Sequence, residues 1–301
     1  MKSNISYFNI SSKNPEKALD EYYIFDERSK DIDKYIKNTK EIKNFLITIS
    51  TLIDKKENEK IIDKYFKSLM ENISKYSNCS EFSCFVNACD NVLNSVKNDM
   101  GLLKQIAKRY FNKRILNETV PEEWIQALID NNSSRKKGKA GERKLMDILK
   151  THNYEQVNRW DAFDSNSKCV AKFSKTFSMI EVRKKFKILM GTKKQNKMMD
   201  LLIKNDGKIF ICEAKHLNSS GGGQDKQISE LIEIIKLREK NTRVSYIGFL
   251  DGNYSNIVIS DDNCSGKLAV QKDEIADALV QNDNSYLVNT AGFNALFSDL
   301  R

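Results

Sequence analysis

The turn sequence Asn-Asp-Gly at 205–207, set between two apolar runs, is the feature that most constrains the fold of this chain. Asp-Gly supplies the positive φ angles that a two-residue hairpin turn requires. The segments 200–204 (DLLIK) and 208–215 (KIFICEAK) are therefore predicted to pair as antiparallel strands. Because side chains alternate between faces along a strand, Glu213 and Lys215 are expected to share one face.

The predicted hairpin brings acidic residues together at its open end. Counting outward from the turn places Asp200 near Glu213, on the neighbouring strand. Two carboxylates hold a hard cation such as Mg²⁺ and leave positions for water and a phosphate oxygen, and the backbone carbonyl of Ala214 could supply a further ligand. Such a cation helps deprotonate water, while an amine such as that of Lys215 stabilises the charge of the transition state. Asp200, Glu213 and Lys215 are thus the predicted catalytic residues for metal-dependent phosphodiester hydrolysis.

The N-terminal part of the chain is predicted to be mostly helical, because its apolar residues recur at helical spacing. The predicted helices lie at 31–55, 61–73, 85–96, 102–115 and 122–129. The next segment, 131–140 (NNSSRKKGKA), is polar, basic and contains glycine, which predicts a loop or linker. A helix at 140–152 should follow this linker.

The C-terminal part combines strand-like runs with a helix. The runs lie at 182–190, 198–204, 208–214 and 243–250, and the helix lies at 224–240. Strands followed by a helix and another strand predict an α/β (α+β) fold in which a mixed central sheet is flanked by helices. We therefore expect a helical accessory region at 1–130 that embraces DNA, and a catalytic domain at 131–301.

The net charge of +9 is concentrated in one segment. Residues 131–200 contain 18 Lys or Arg and 7 Asp or Glu, so the rest of the chain carries a net charge of −2. A local excess of positive charge favours contact with a polyanion such as nucleic acid, although a solvated lysine face is the alternative. The candidate phosphate contacts are Arg159, Trp160, Arg183, Lys184, Lys185, Lys193 and Lys194.

The cysteines and histidines do not indicate a zinc site. The six cysteines are scattered, and Cys79, Cys84 and Cys89 lie five residues apart, unlike the Cys-x-x-Cys pairs of zinc sites. Reduced, mostly packed thiols are expected, as is a packed or solvent-facing His216. The first thirty residues show no secretory signal, and no apolar run approaches the roughly 20 residues needed to span a bilayer. A cytoplasmic protein with no membrane partner is therefore predicted.

The hairpin residues resemble a known group of enzymes. Met199-Asp200, followed after twelve residues by the Glu-Ala-Lys of 213–215, is similar to the motif of the PD-(D/E)XK nuclease superfamily. The resemblance spans roughly residues 138–260 and implies a central mixed sheet flanked by helices, as in restriction endonucleases. Met199 stands where the family usually has proline, a departure that leaves the metal ligands intact.

The resemblance also assigns residues outside the hairpin. The family pattern places a further glutamate on an upstream helix, and Glu142 within 139–144 (KAGERK) matches it as a fourth catalytic residue. Members often carry Gln or another polar residue on the helix after the motif. Gln224 and Gln227 stand at that place and are candidates for DNA contact.

These features together predict a magnesium-dependent endonuclease that hydrolyses double-stranded DNA, most simply a sequence-specific type II restriction enzyme. Palindromic sites favour a symmetric homodimer, and a cognate DNA methyltransferase is the expected genetic partner. Two alternatives stay open. One is another nuclease of the same superfamily, acting in repair, junction resolution or phage defence. The other is a non-catalytic DNA-binding protein that uses the basic segment alone.

Overall fold

The computed structural model describes residues 2–131, 134–190, 198–219, 221–260 and 264–300, with the side chains of 134–136 excepted. These residues form two compact units. The sheet unit comprises residues 1–24 and 135–301, and the helical unit comprises residues 25–134. This division differs from the predicted one because the first 24 residues pack with the sheet and not with the helices that follow them.

The sheet unit is built on a six-stranded mixed sheet whose strands lie in chain order. The strands are β1 (Glu155–Gln156), β2 (Lys168–Lys172), β3 (Leu201–Asn205), β4 (Lys208–His216), β5 (Val244–Asp251) and β6 (Ser285–Val288). β2, β3 and β4 are antiparallel neighbours, whereas β1 pairs with β2, β4 with β5 and β5 with β6 in parallel. The predicted mixed α/β architecture is confirmed.

The turn between β3 and β4 has the conformation that its sequence predicts. Asn205 pairs with Lys208, which leaves Asp206 and Gly207 as the two loop residues. Their φ angles are +43° and +87°, as required where both central residues of a tight hairpin turn take positive φ. The apolar residues on both sides are fully buried, so the hairpin is a rigid part of the core.

Helices cover both faces of the sheet. One face packs against α1 (Asn4–Lys13), α8 (Ser134–Thr151) and α14 (Thr290–Asp299), through residues that include Tyr7, Leu145 and Phe293. The other face contributes to a larger apolar core with helices from the later part of the chain. These are α9 (Trp160–Ser165), α10 (Met179–Phe186), α11 (Gly222–Ile235), α12 (Asn253–Ile259) and α13 (Lys267–Gln281).

The helical unit has its own apolar core, in which Leu46, Leu69 and Leu103 are fully buried. Its helices are α2 (Ile32–Asp54), α3 (Glu59–Asn72), α4 (Glu81–Ala88), α5 (Leu93–Asn98), α6 (Met100–Lys113) and α7 (Glu122–Asn131), with a 3₁₀ helix at Ser77–Cys79. The helix predicted at 85–96 is divided into α4 and α5, because the chain turns at Asp90, where φ is +55°.

Two predicted elements are wrong. Most of the predicted linker at 131–140 belongs to α8, which begins at Ser134 and is rich in the good helix formers Arg, Lys and Ala. The strand predicted at 182–190 is largely helix α10. Ser178 caps this helix by accepting a hydrogen bond from the Glu181 amide, which is the Ser-x-x-Glu pattern of a capping box.

The remaining predicted elements differ from the structure mainly at their ends. α11 ends at Ile235, earlier than the predicted end at 240, and β3 begins at Leu201, three residues after the predicted start. In the described parts of the chain, no helix combines the length and apolar character needed to cross a membrane.

Candidate active site

The register of β3 and β4 places Asp200 beside Glu213. Leu201 is the last residue of β3 to pair with β4, opposite Cys212, so Asp200 lies just before β3 and Glu213 just beyond that pair. The charge of Glu213 acts on the Asp200 carboxyl group, which places the two carboxylates within electrostatic range. The Asp200 amide donates a hydrogen bond at 3.0 Å to the carbonyl of Cys212, the residue that pairs with Leu201. The Ala214 amide donates to Asp200 Oδ2 at 2.7 Å, which fixes the aspartate side chain against β4.

Lys215 completes this group from β4. Its Nζ lies 2.7 Å from Glu213 Oε1, and the side chains of Lys215 and Glu213 are only 18% and 3% exposed. On its other side, Lys215 Nζ lies 3.3 Å from Glu230 Oε2 of α11. Burial lowers the pKa of Lys215, but the two carboxylates outweigh this effect, so its pKa lies above the usual value. Lys215 is therefore a fixed ammonium between two carboxylates.

The pKa of Asp200 reflects its burial and the nearby carboxylate of Glu213. Burial, followed by the negative charge of Glu213, raises the pKa of Asp200 to about 7. The hydrogen bond from Ala214 and the charge of Lys215 act in the opposite direction. A buried carboxyl group whose pKa is raised beside a second carboxylate marks a site where a cation would be stabilised.

Glu142 contributes to this site from α8. Its charge is among the causes that raise the pKa of Asp200, which places the two carboxylates within electrostatic range. Glu142 Oε2 also lies 3.0 Å from Lys172 Nζ at the end of β2. The structure thus brings all four predicted catalytic residues to one end of the sheet, with Glu142 held in an ion pair of its own.

The residues present fit a hard cation through oxygen atoms. Among the described residues, no three His, Cys, Asp or Glu side chains form a ready metal-binding group. The predicted donors are instead two carboxylates, Asp200 and Glu213, and the carbonyl of Ala214. The Ala214 amide points toward Asp200, and the carbonyl of a strand residue points to the same side as its amide. Two carboxylates with water and a carbonyl suit Mg²⁺, which usually retains several waters in proteins.

The predicted DNA contacts on α10 differ in their surroundings. Lys184 is exposed. Lys185 Nζ lies 2.7 Å from Asp164 Oδ2 and 4.8 Å from the centre of the Trp160 ring. Lys193 and Lys194 lie outside the residues that the structure describes. Within the described residues, Lys184 has no acidic side chain at ion-pair distance, in contrast to Lys185.

Gln224 and Gln227 lie in the first two turns of α11, the helix that reaches Lys215 through Glu230. Gln227 lies about one helical turn before Glu230, so the two side chains are neighbours on one face of α11. Gln224 Oε1 is buried and has no hydrogen-bond partner among the described residues. The N-terminal turns of α11, the helix that borders the site, therefore carry the side-chain amides of Gln224 and Gln227.

Sequence analysis did not identify Glu230 or the charged cluster on the opposite side of β4. In that cluster, Lys144 Nζ contacts Glu16, Asp20 and Asp251 at 3.1, 2.6 and 3.2 Å. The Lys144 side chain is 5% exposed, so one buried ammonium is shared by three carboxylates and offsets part of their negative charge. Its three partners are more than 100 residues away along the chain, which leaves no local signal in the sequence.

His216 belongs to the same cluster and is packed. Its Nδ1 lies 3.1 Å from Asp251 Oδ1, and its ring stacks on Tyr23 with centroids 3.7 Å apart. Tyr23 also donates a hydrogen bond to Asp251 Oδ2 at 2.6 Å. This arrangement fixes the end of β4 immediately after Lys215. The residues after α1 thus support the strand that carries the candidate site.

A cavity of about 450 Å³ lies elsewhere, within the helical unit, and is lined by residues that include Lys43, Cys84 and Trp124. None of the predicted catalytic residues lines it.

Comparisons of this chain with protein-family models, curated proteins and solved structures found no match.

Proposed function

We propose that this protein is a magnesium-dependent endonuclease of the PD-(D/E)XK type that cleaves double-stranded DNA, and that it acts as a type II restriction enzyme. The observation that carries the proposal is the juxtaposition of Asp200, Glu213 and Lys215 at the open end of a buried hairpin. The basic segment at 131–200 supports a polyanionic substrate.

Each residue has a role that follows from its position. Asp200 and Glu213, with the Ala214 carbonyl, would hold the cation, and Glu142 would add negative charge at the edge of the site. Mg²⁺ bound there supplies charge neutralisation at the scissile phosphate and a more acidic water. Lys215 is an amine fixed beside the acidic groups, where it can orient the attacking water or stabilise charge on the phosphate.

The proposed restriction activity also implies an oligomeric state and a genetic partner. A restriction enzyme that cuts palindromic sites acts most simply as a symmetric homodimer. It works in the cytoplasm beside a cognate DNA methyltransferase that protects host DNA. Lys184, Gln224 and Gln227 are the described residues proposed to contact DNA.

The test is digestion of unmethylated phage DNA with and without Mg²⁺. We expect discrete fragments with Mg²⁺ and none after chelation. Asp200→Asn, Glu213→Gln and Lys215→Met should each lower the rate by about 100-fold or more, as expected for loss of a group that stabilises the transition state.

Other outcomes would identify the alternatives. Nicking that depends on DNA structure and not on sequence would indicate a repair or junction-resolving nuclease of the same type. DNA binding that is unchanged by Mg²⁺ and by the Asp200 and Glu213 substitutions, without any cleavage, would indicate a non-catalytic DNA-binding protein.

A further inference from the structure

Lys215 lies between one carboxylate that belongs to the proposed metal site and one that does not. Glu213 Oε1 is 2.7 Å from Lys215 Nζ, and Glu230 Oε2 is 3.3 Å from the same atom. Among the described residues, these are the acidic side chains within ion-pair distance of Lys215. The two carboxylates come from different elements, β4 and α11, so Lys215 links the strand to the helix.

The contact with Glu213 conflicts with cation binding. Magnesium ligands lie about 2.0–2.1 Å from the ion, so an ammonium on the same carboxylate would be a close, like-charged neighbour of the metal. Glu213 is 3% exposed, and water screens such repulsion poorly in a buried site. Lys215 must therefore give up part of its contact with Glu213 if Glu213 is to bind a divalent cation well.

We propose that Glu230 is a positioning residue that retains the Lys215 ammonium when Glu213 takes up a divalent cation. This inference rests on the proposed function. Glu230 already contacts Lys215, so the exchange requires a short movement of one ammonium group and no rearrangement of the strand. Lys215 then stays beside the cation without competing for its ligand.

The charges of the site agree with this role. When Asp200 is ionised, Asp200, Glu213 and Glu230 with Lys215 carry a net charge of −2, to which Glu142 adds negative charge, so this group attracts a divalent cation. Without Glu230 the same four-residue group carries −1, and among the described residues Lys215 keeps Glu213 as its carboxylate partner. Removal of Glu230 should therefore make the ammonium a stronger competitor of the cation.

The experiment is a double-mutant cycle read by calorimetric titration of the full chain with Ca²⁺, without DNA. The variants are Glu230→Gln, Lys215→Met and the double substitution. We expect Glu230→Gln to weaken Ca²⁺ binding by about tenfold, which is within the usual range of coupling between contacting groups. The same change made in the Lys215→Met background should have little effect, because the competing ammonium is gone.

Glu233→Gln is the matched control, since it removes the same charge from an exposed position on α11 and should leave Ca²⁺ affinity unchanged. Thermal unfolding of each variant checks that the fold is retained. Equal weakening by Glu230→Gln in both backgrounds would show that Glu230 acts directly on the cation and would overturn the inference. Wild-type affinity in Glu230→Gln would also overturn it. If the wild-type chain binds neither Ca²⁺ nor Mn²⁺, the proposed function fails as well, which separates the two failures.

Discussion

The Ala214 amide donates a hydrogen bond to Asp200 Oδ2 at 2.7 Å, so the backbone of one strand fixes the carboxylate of the next. This bond lies one residue beyond the last paired residues of β3, where the sheet would otherwise leave the Ala214 amide without a strand partner. The aspartate thus serves the fold as well as the proposed chemistry. Substitutions at Asp200 can separate these two roles.

Asp200→Asn and Asp200→Ala should differ in stability but not in activity. The Asn side chain retains an oxygen that can accept from Ala214, whereas Ala leaves the part-buried Ala214 amide without this partner, at a cost of about 1 kcal/mol or more. Urea denaturation should therefore show a lower free energy of unfolding for the Ala variant than for the Asn variant. Both should lack Mg²⁺-dependent cleavage. Equal stability of the two variants would contradict a structural role for the hydrogen bond.

The stability of the fold should depend on pH through Asp200. Burial and the charge of Glu213 raise the pKa of Asp200 from 3.8 to about 7, so the folded chain binds this proton more tightly than the unfolded chain does. The contribution of Asp200 to stability is therefore complete below about pH 4 and declines as the pH rises toward 7. Asn does not titrate.

The measurement is the thermal unfolding midpoint of the wild type and of Asp200→Asn across this pH range, in the presence of a chelator. The wild type should lose stability relative to Asp200→Asn as the pH rises. A difference between the two proteins that stays constant with pH would show that Asp200 is already ionised in the folded chain.

Lys144 should be important for stability although it lies outside the proposed metal site. Removing a buried cation leaves the carboxylates of Glu16, Asp20 and Asp251 without their shared partner, and breaking a buried ion pair typically costs 3–5 kcal/mol. Lys144→Met should therefore lower the free energy of unfolding by about 3 kcal/mol or more in denaturant titrations. Lys150→Met is the control, because Lys150 is exposed on the same helix and should change stability little.

The hairpin could be predicted from sequence because its determinants are local. Asp206-Gly207 specifies the turn, and the turn then determines which residues lie at the open end of the hairpin, where the structure has Asp200 within electrostatic range of Glu213. Glu230 could not be identified in this way. Its contact with Lys215 depends on how α11 packs against β4, which no spacing along the chain specifies.

The errors in secondary structure also have physical causes. The composition of 182–190 predicts a strand, but Ser178 accepts a hydrogen bond from the Glu181 amide and so starts the helix α10. The polar, basic residues before Gly141 predict a loop, but Lys, Arg and Ala have high helix propensity and extend α8 toward its N-terminus. In both segments the sequence contains a helix-favouring signal, a cap in one and high helix propensity in the other.

Lys184 and Lys185 should contribute differently to DNA binding. Lys184 is exposed, whereas Asp164 already neutralises Lys185 at 2.7 Å. If the protein binds DNA as proposed, Lys184→Gln should reduce the slope of log affinity against log salt concentration by about 1. Lys185→Gln should reduce it less. The slopes can be measured by fluorescence anisotropy with Ca²⁺ in place of Mg²⁺, and a larger effect at Lys185 would contradict the assignment.

A glycine-to-alanine change should have opposite effects at two positions. At Gly207, φ is +87°, where a Cβ meets no atom within 4 Å but the backbone conformation is unfavourable for alanine. Gly207→Ala should therefore destabilise the chain by about 1–2 kcal/mol. At Gly138, within α8, a Cβ also meets nothing within 4 Å, and Ala should stabilise the helix by about 1 kcal/mol. Free energies of unfolding from denaturant titrations test both signs.

Cleavage should be unchanged in Gly207→Ala, because the turn lies at the opposite end of the hairpin from Asp200 and Glu213. Loss of cleavage in a folded Gly207→Ala variant would show that the turn also positions the acidic residues.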